Sequence, residues 1–192
     1  QGRPDDQEEI NGLLIDHARR GRSVVRLKGG DPFLFGRGGE EADALAAAGI
    51  PFEVVPGVSS ALAVPAYAGI PVTDRRYASS LRVLTGNTGE TRRGANGLPE
   101  ETVVALMAVR RLPDLVDQLR AEGWPETTPV ALIERGTTSR QRTLSTTLGE
   151  AVRTASDEQL SPPAITVVGR VVEVRNRIAW FERKRLFGVR VL

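Results

Sequence analysis

The sequence contains no cysteine, a single histidine and only two lysines. Without cysteine there are no disulfides, thiolate metal ligands or cysteine nucleophiles, and one histidine argues against a histidine-based metal site. We therefore expect no bound metal. No apolar run approaches the length of a membrane span, and the polar, acidic N-terminus lacks the pattern of a signal peptide. These features predict a cytoplasmic enzyme or binding protein with no membrane partner.

Aromatic residues are scarce at 5%, and the formal net charge is only +2. So few aromatics and so mild a charge do not indicate a nucleic-acid-binding surface, and we expect no nucleic-acid partner. Nearly all the cations are arginines. Arginine binds carboxylates with two parallel hydrogen bonds, which would suit a polyanionic small molecule. Compositional bias of the coding sequence is the better explanation for most of these arginines.

A glycine-rich stretch follows a short apolar pattern near the start of the chain. Residues 24–27 predict a strand, and Gly29, Gly30 and Asp31 end it in a loop that lets a ligand approach the backbone. A helix is predicted from Glu40 to Ala48. A strand, a glycine-lined loop and a helix form ligand sites at the carboxyl edges of α/β sheets. The loop lacks the spacing of a dinucleotide fingerprint or a P-loop, and taken alone it also fits a plain connection without a ligand.

The rest of the chain alternates helical and strand patterns, which predicts an α/β fold in two parts. Further helices are expected within residues 1–21, from residue 58, and at 112–122 and 149–156. Further strands are expected at 52–55, 81–84, 102–108, 129–134, 141–148 (an edge strand) and 164–168, with a loop at 86–99. We predict a parallel sheet in an N-terminal domain, residues 1–78, and a mixed sheet in a C-terminal domain, residues 79–182. Residues 183–192 would form a C-terminal arm or linker.

The stretch from Leu27 to Glu41 resembles the signature of uroporphyrinogen-III C-methyltransferases, in the tetrapyrrole methylase family. Further pieces follow in the family's order, among them Val54-Val55-Pro56-Gly57, Pro65-Ala66-Tyr67-Ala68-Gly69-Ile70-Pro71 and Glu134-Arg135-Gly136-Thr137. The resemblance implies a two-domain α/β homodimer that binds S-adenosylmethionine in the cleft between its domains. It also implies methyl transfer to carbons 2 and 7 of uroporphyrinogen III, giving precorrin-2 for sirohaem and cobalamin.

The match to the family motifs implies which residues would contact the methyl donor. They are Gly29, Gly30, Asp31, Leu34, Ser59, Ser60, Met107, Gly136 and Ala164. Structural roles stay open for several of them: Met107 could fill the core, Ser59 could cap a helix, and Gly136 could serve a turn. Asp31 is expected to shape the loop or bind the donor rather than act as a base.

Four arginines are candidate clamps for the carboxylates of the substrate: Arg26, Arg37, Arg75 and Arg76. The catalytic residues stay unknown, because the aspartate and lysine usually assigned to proton transfer in the family precede the segment present here. Three positions depart from the family pattern, with Ser59 in place of threonine and Asp74 and Asn87 in place of histidines. These departures weaken the substrate assignment more than the donor assignment. The alternatives are another precorrin methyltransferase, or a non-catalytic remnant that binds the donor or dimerises.

The two ends of the sequence carry further expectations. The family begins with a strand and a Gly-x-Gly-Pro-Gly-Asp loop, whereas this sequence begins with a loop and a helix. We therefore expect the chain to lack an N-terminal strand-loop-helix unit. The segment from Ala179 to Leu192 is either a linker into a fused uroporphyrinogen-III synthase domain or a simple arm.

Overall fold

A computed structural model describes residues 4–86 and 100–189, with side chains from residue 7 onward. Most of the loop expected at residues 86–99, including Asn87, lies outside these residues, as do the last three residues of the C-terminal arm. The helices are α1 (Pro4–Arg19), α2 (Gly38–Ala47), α3 (Ser60–Tyr67), α4 (Leu112–Ala121), α5 (Ala151–Asp157) and α6 (Arg175–Ile178). The strands are β1 (Ser80–Thr85), β2 (Glu101–Leu106), β3 (Pro129–Glu134), β4 (Arg142–Thr147) and β5 (Ala164–Val168).

The five strands form one mixed sheet in the order β1-β2-β5-β3-β4. β1 and β2 are parallel, and the other neighbouring strands are antiparallel. The expected mixed sheet of the second domain is therefore confirmed, and so is the place of β4 at an edge. β2, β3 and β5 form its centre, because their continuous runs of β-branched and aliphatic residues suit strands buried on both faces.

Alternate side chains of the central strands divide the core into two layers. Val103 of β2 and Leu132 of β3 point to one face, where they pack with α4 and α5. Val104 and Ile133 point to the other face, where they pack with α3 and the 3-10 turn at Arg170–Val174. This alternation follows from the two-residue period of a strand and gives a sheet covered by helices on both faces.

The chain forms two compact units, residues 1–59 and 60–192. The division comes earlier than the boundary expected after residue 78, because Ala61, Val64 and Ala68 of α3 belong to the core of the second unit. Pro65 lies inside α3, and the helix continues through it to Tyr67.

The parallel sheet expected in the N-terminal domain is absent from the described residues of the first unit. Residues 24–27 and 52–55 run without strand assignment, so both strand predictions are wrong for this structure. A strand requires a neighbour that completes its backbone hydrogen bonds, and an apolar pattern alone does not provide one. Val25 and Val55 are accordingly 87% and 80% exposed.

The predicted helices of the first unit are confirmed, with small shifts at their ends. Gly21 and Gly49 follow α1 and α2 with φ values of 73° and 69°, the left-handed conformation that ends helices. None of the helices in the described residues has the length and apolar character needed to cross a membrane.

Candidate donor-binding site

Within the first unit, the Gly29–Asp31 loop lies against the turn at Pro56–Gly57. Asp31 joins the two: its Oδ1 accepts a hydrogen bond from the Phe33 N–H at 2.9 Å, and its Oδ2 accepts one from the Gly57 N–H at 3.2 Å. A Cβ at Gly57 would lie 2.1 Å from the Gly30 carbonyl oxygen. The two loops can approach this closely only because residue 57 is glycine.

The loop leaves its backbone open to a ligand. Gly30 adopts φ 69° and, like Gly29, is exposed. A Cβ at Gly29 would meet no described atom within 4 Å. Leu34 follows with 36% of its surface exposed, and its N–H donates a hydrogen bond to the Asp31 carbonyl at 3.4 Å. The loop therefore exposes its backbone beside a partly exposed apolar side chain.

A buried carboxylate anchors the extended segment that leads into this loop. Glu41 of α2 is 5% exposed. Its Oε1 accepts hydrogen bonds from Lys28 Nζ at 2.9 Å, Arg26 Nε at 3.2 Å and Gln7 Nε2 at 3.2 Å. Burial alone would raise the pKa of Glu41, but the hydrogen bonds from Lys28, Gln7 and Arg26 outweigh it and lower the pKa. The ionised carboxylate thus ties α1, α2 and the segment before Gly29 together.

Within the second unit, the strand pairing places three predicted site residues at the same end of the central strands. Met107 follows the carboxyl end of β2, whose Leu106 pairs with Ile165 of β5. Ala164 begins β5 and pairs with Glu134, the last residue of β3. Gly136 follows Glu134 by two residues. Met107, Ala164 and Gly136 therefore lie at the same end of the central strands, although 57 positions separate the first from the last in sequence.

Met107 points away from the core. It is 48% exposed and adopts φ 55°, a conformation that a non-glycine residue rarely takes. The backbone at Gly86 packs closely against Met107, since a Cβ at Gly86 would lie 2.6 Å from the Met107 carbonyl oxygen. Core filling is therefore excluded for Met107. Its constrained backbone instead places the thioether at the end of the sheet where β1 and β2 terminate.

Gly136 lies directly beneath α3. A Cβ there would lie 2.3 Å from Cγ1 of Val64, so residue 136 has no room for a side chain. The flanking residues Arg135 and Thr137 adopt φ values of 49° and 68°. Glycine at this position thus serves close packing against a helix as well as a turn.

The two serines at the start of α3 differ in their surroundings. Ser59 is 8% exposed and directly precedes the helix, whereas Ser60, its first residue, is exposed. Ser60 is therefore the more accessible of the two hydroxyl groups.

Three of the four candidate substrate-binding arginines are already paired with carboxylates. Arg26 contacts Glu41, Arg37 forms two hydrogen bonds to Glu40 at 2.9 and 2.7 Å, and Arg76 forms two to Asp74 at the same distances. Arg75 is exposed, and its side chain forms no ion pair with the residues that the structure describes.

The Asp74 carboxylate forms an ion pair with Arg76 and is not an isolated negative charge. Its hydrogen bonds from the Arg76 side chain and backbone lower its pKa far below the ordinary range. The acidic residue where the family often has histidine is therefore neutralised by its own neighbour.

The sequence did not identify two residues that shape the site. The sequence signal for Gly57 is its place at the end of the Val54-Val55-Pro56-Gly57 motif. Glu41 lies in the first turn of α2, and no sequence signal links it to Gln7, Arg26 and Lys28.

The family model of tetrapyrrole (corrin/porphyrin) methylases matches residues 1–152. The chain belongs to the tetrapyrrole methylase family. It is 42% identical to a uroporphyrin-III C-methyltransferase from Thermus thermophilus, covering 88% of this chain and 74% of that one with a TM-score of 0.78. A uroporphyrin-III C-methyl transferase structure from Thermus thermophilus complexed with S-adenyl homocysteine is 38% identical over 88% of this chain and 75% of its own, with a TM-score of 0.73.

The curated relatives of the chain are longer proteins. A siroheme synthase of Pseudomonas paraeruginosa is 48% identical over 186 residues, which make up 93% of this chain but 39% of that protein. A siroheme synthase of Azotobacter vinelandii is 46% identical over the same shares. The chain thus spans about two fifths of the length of these relatives. A cobalt precorrin-4 methyltransferase, 23% identical with a TM-score of 0.72, shares the fold.

Proposed function

We propose that this chain is the methyl-transferring part of an S-adenosylmethionine-dependent C-methyltransferase that acts on uroporphyrinogen III. The product would be precorrin-2, methylated at carbons 2 and 7. The observation that carries the proposal is the 42% identity to a solved uroporphyrin-III C-methyltransferase along 88% of the chain. The open Gly29–Gly30 backbone and the edge formed by Met107, Gly136 and Ala164 add physical support.

The proposed chemistry places modest demands on the side chains. A sulfonium donor supplies an activated methyl group, so the protein contributes mainly the position of the donor and the substrate. Asp31 holds the donor loop in shape, because both of its oxygens accept backbone N–H groups. Gly29, Gly30 and Leu34 would contact the donor from this loop, with Ser59 and Ser60. Met107, Gly136 and Ala164 would contribute from the sheet edge. We assign no proton-transfer residue.

Arg75 is the strongest candidate to bind a substrate carboxylate, since Arg26 is committed to buried Glu41. Arg37 and Arg76 could still contribute their outward N–H groups, although each already binds one carboxylate. The pairing of Asp74 with Arg76 also alters the local charge relative to a family member with histidine there. We keep a later precorrin as the alternative substrate for this reason. A homodimer, a cytoplasmic location and a fused uroporphyrinogen-III synthase domain in the parent protein remain predictions.

Calorimetric titration with S-adenosylhomocysteine tests the donor site. We expect the chain to bind saturably and Gly30→Arg to abolish binding, because the new side chain would occupy the exposed loop and strain a backbone with φ 69°. Gly12→Arg is the matched control, since a side chain at this exposed position of α1 meets no described atom within 4 Å. Absence of binding by the folded chain, or equal loss in both variants, would contradict the donor assignment.

An anaerobic assay then tests the substrate. With S-adenosylmethionine and uroporphyrinogen III, mass spectrometry should detect a product that carries two additional methyl groups. Methylation of a later precorrin but not of uroporphyrinogen III would favour the alternative. Binding of the donor without transfer to either substrate would indicate a non-catalytic module.

A further inference from the structure

The C-terminal segment beyond α6 packs onto α3 in the second unit. A Cβ at Gly69 would lie 2.7 Å from the Ala179 Cα, so the backbones touch. Trp180 Nε1 donates a hydrogen bond to the Ala66 carbonyl at 3.0 Å, and its ring centre lies 5.2 Å from that of Tyr67. Residues 179–181 are therefore fixed parts of this unit rather than a free linker.

Glu182 follows this segment, and its carboxylate accepts hydrogen bonds from β4, from the loop before β4 and from α6. Its Oε1 accepts one from Gln141 Nε2 at 2.9 Å and one from Thr143 Oγ1 of β4 at 2.6 Å. Its Oε2 pairs with Arg175 of α6, which also donates to the Ala68 carbonyl just beyond α3. Only 18% of the Glu182 side chain is exposed. One carboxylate thus joins β4, the loop before it and the C-terminal segment.

Gln141 extends this connection to the loop that carries Gly136. Its side chain is 4% exposed, and its Oε1 accepts the Thr137 N–H at 2.8 Å. Thr137 and Arg135, on either side of Gly136, both have positive φ. Non-glycine residues keep such conformations only where their surroundings hold them. The hydrogen bond from the Thr137 N–H to Gln141 is one such restraint. The Nε2 of the same Gln141 amide donates a hydrogen bond to Glu182.

We propose that Glu182 is a positioning residue of the donor site, acting through Gln141 on the backbone at Thr137 and Gly136. This inference rests on the proposed function, in which Gly136 contributes to the donor site from the sheet edge. In this role Glu182 acts through Gln141 and not by contact with the donor or the substrate. It fixes the orientation of the Gln141 amide so that the oxygen faces Thr137 and the nitrogen faces the carboxylate.

Glu182→Gln tests the proposal with two readouts. The variant replaces a charged acceptor by an amide that can orient either way, so the Gln141 amide loses its fixed direction. We expect S-adenosylhomocysteine to bind about tenfold more weakly and the Thr137 amide to exchange about tenfold faster, as for a lost hydrogen bond to a charged group. Glu173→Gln is the matched control, because Glu173 is an exposed carboxylate in the neighbouring 3-10 turn, and it should leave both values unchanged.

A double variant separates positioning from simple destabilisation. Gln141→Glu alone places two carboxylates within hydrogen-bond distance and should weaken binding, since like charges repel. When it is combined with Glu182→Gln, the carboxylate introduced at position 141 can accept from both the Thr137 N–H and the amide introduced at position 182. We expect this exchange to restore Thr137 protection and most of the affinity, although the ion pair with Arg175 stays lost.

Two results would overturn the inference. One is wild-type affinity and Thr137 exchange in Glu182→Gln, and the other is a double variant no better than the single ones. If the unaltered chain binds no S-adenosylhomocysteine, the proposed donor site fails. The exchange of the Thr137 amide then still decides whether Glu182 positions the loop.

Discussion

The Glu41 carboxylate makes the first unit sensitive to acid. Because its pKa is lowered in the folded chain, its stabilising effect is present above the ordinary pKa of about 4.3 and is lost as the pH falls through the lowered value. Glu41→Gln should reduce the free energy of unfolding at neutral pH by about 2 kcal/mol, since Lys28 and Arg26 lose a charged acceptor. It should also flatten the decline in stability in acid. Urea denaturation between about pH 3 and pH 7 measures both effects.

Asp43→Asn provides the control for this prediction, because Asp43 is an exposed carboxylate on the same helix, α2. Its stability profile should follow that of the unaltered chain. A Glu41→Gln variant that loses stability in acid as steeply as the parent would contradict the role given to Glu41.

The arginines illustrate what sequence reasoning can and cannot establish about single residues. Their number suggested carboxylate binding, yet Arg26 binds Glu41, 15 positions away, and Arg37 and Arg76 bind carboxylates within three positions. A sequence shows that a charge is present but not whether a partner already lies beside it. The glycine motif was more informative, because close backbone contact restricts residue type directly, as at Gly57.

At the scale of elements, the contact between α3 and the Gly136 loop predicts a compensating pair of substitutions. Gly136→Ala should cost about 2 kcal/mol of unfolding free energy, because the new methyl group would overlap Val64. Val64→Ala removes the two nearest atoms, Cγ1 and Cγ2, and leaves the Cβ at 2.9 Å. In its background, Gly136→Ala should therefore cost less. Urea denaturation of the two single variants and the double variant measures the coupling.

Gly29→Ala serves as the comparison for this cycle, since a Cβ there meets no described atom and the position lies outside the core. It should change stability little. Strictly additive effects of Gly136→Ala and Val64→Ala would mean that the two residues are not in the contact described.

The strands show why one half of the fold was easier to predict. β2, β3 and β5 were expected from continuous apolar runs, and each finds partners on both sides within the same unit. The runs at 24–27 and 52–55 are also rich in valine but have no strand partner among the described residues. Strand formation depends on pairing between distant segments, which a local pattern does not report.

At the scale of the whole molecule, the buried apolar core lies in only one of the two units. Every buried apolar side chain among the described residues belongs to Ala61 or a later residue. The buried side chains of the first unit are polar: Gln7, Glu41 and Ser59. The second unit therefore contains the hydrophobic contribution that stabilises a domain on its own.

A fragment of residues 60–192 should accordingly fold alone and unfold cooperatively in urea, whereas residues 1–59 alone should show no cooperative transition. Circular dichroism of the two fragments, followed through a urea titration, makes the comparison. A cooperative transition in the short fragment, or none in the long one, would contradict this distribution of stability.

The edge strand β4 has a consequence for aggregation. An unpaired edge offers its backbone to other chains, and long apolar edges promote the growth of fibrils. β4 reads Arg142-Thr143-Leu144-Ser145-Thr146-Thr147, with one large apolar side chain and a guanidinium at its start. Strand-by-strand growth from this side would place hydroxyl groups and cations against one another in place of a dry apolar interface. The composition of β4 therefore disfavours the addition of strands from other molecules at this edge of the sheet.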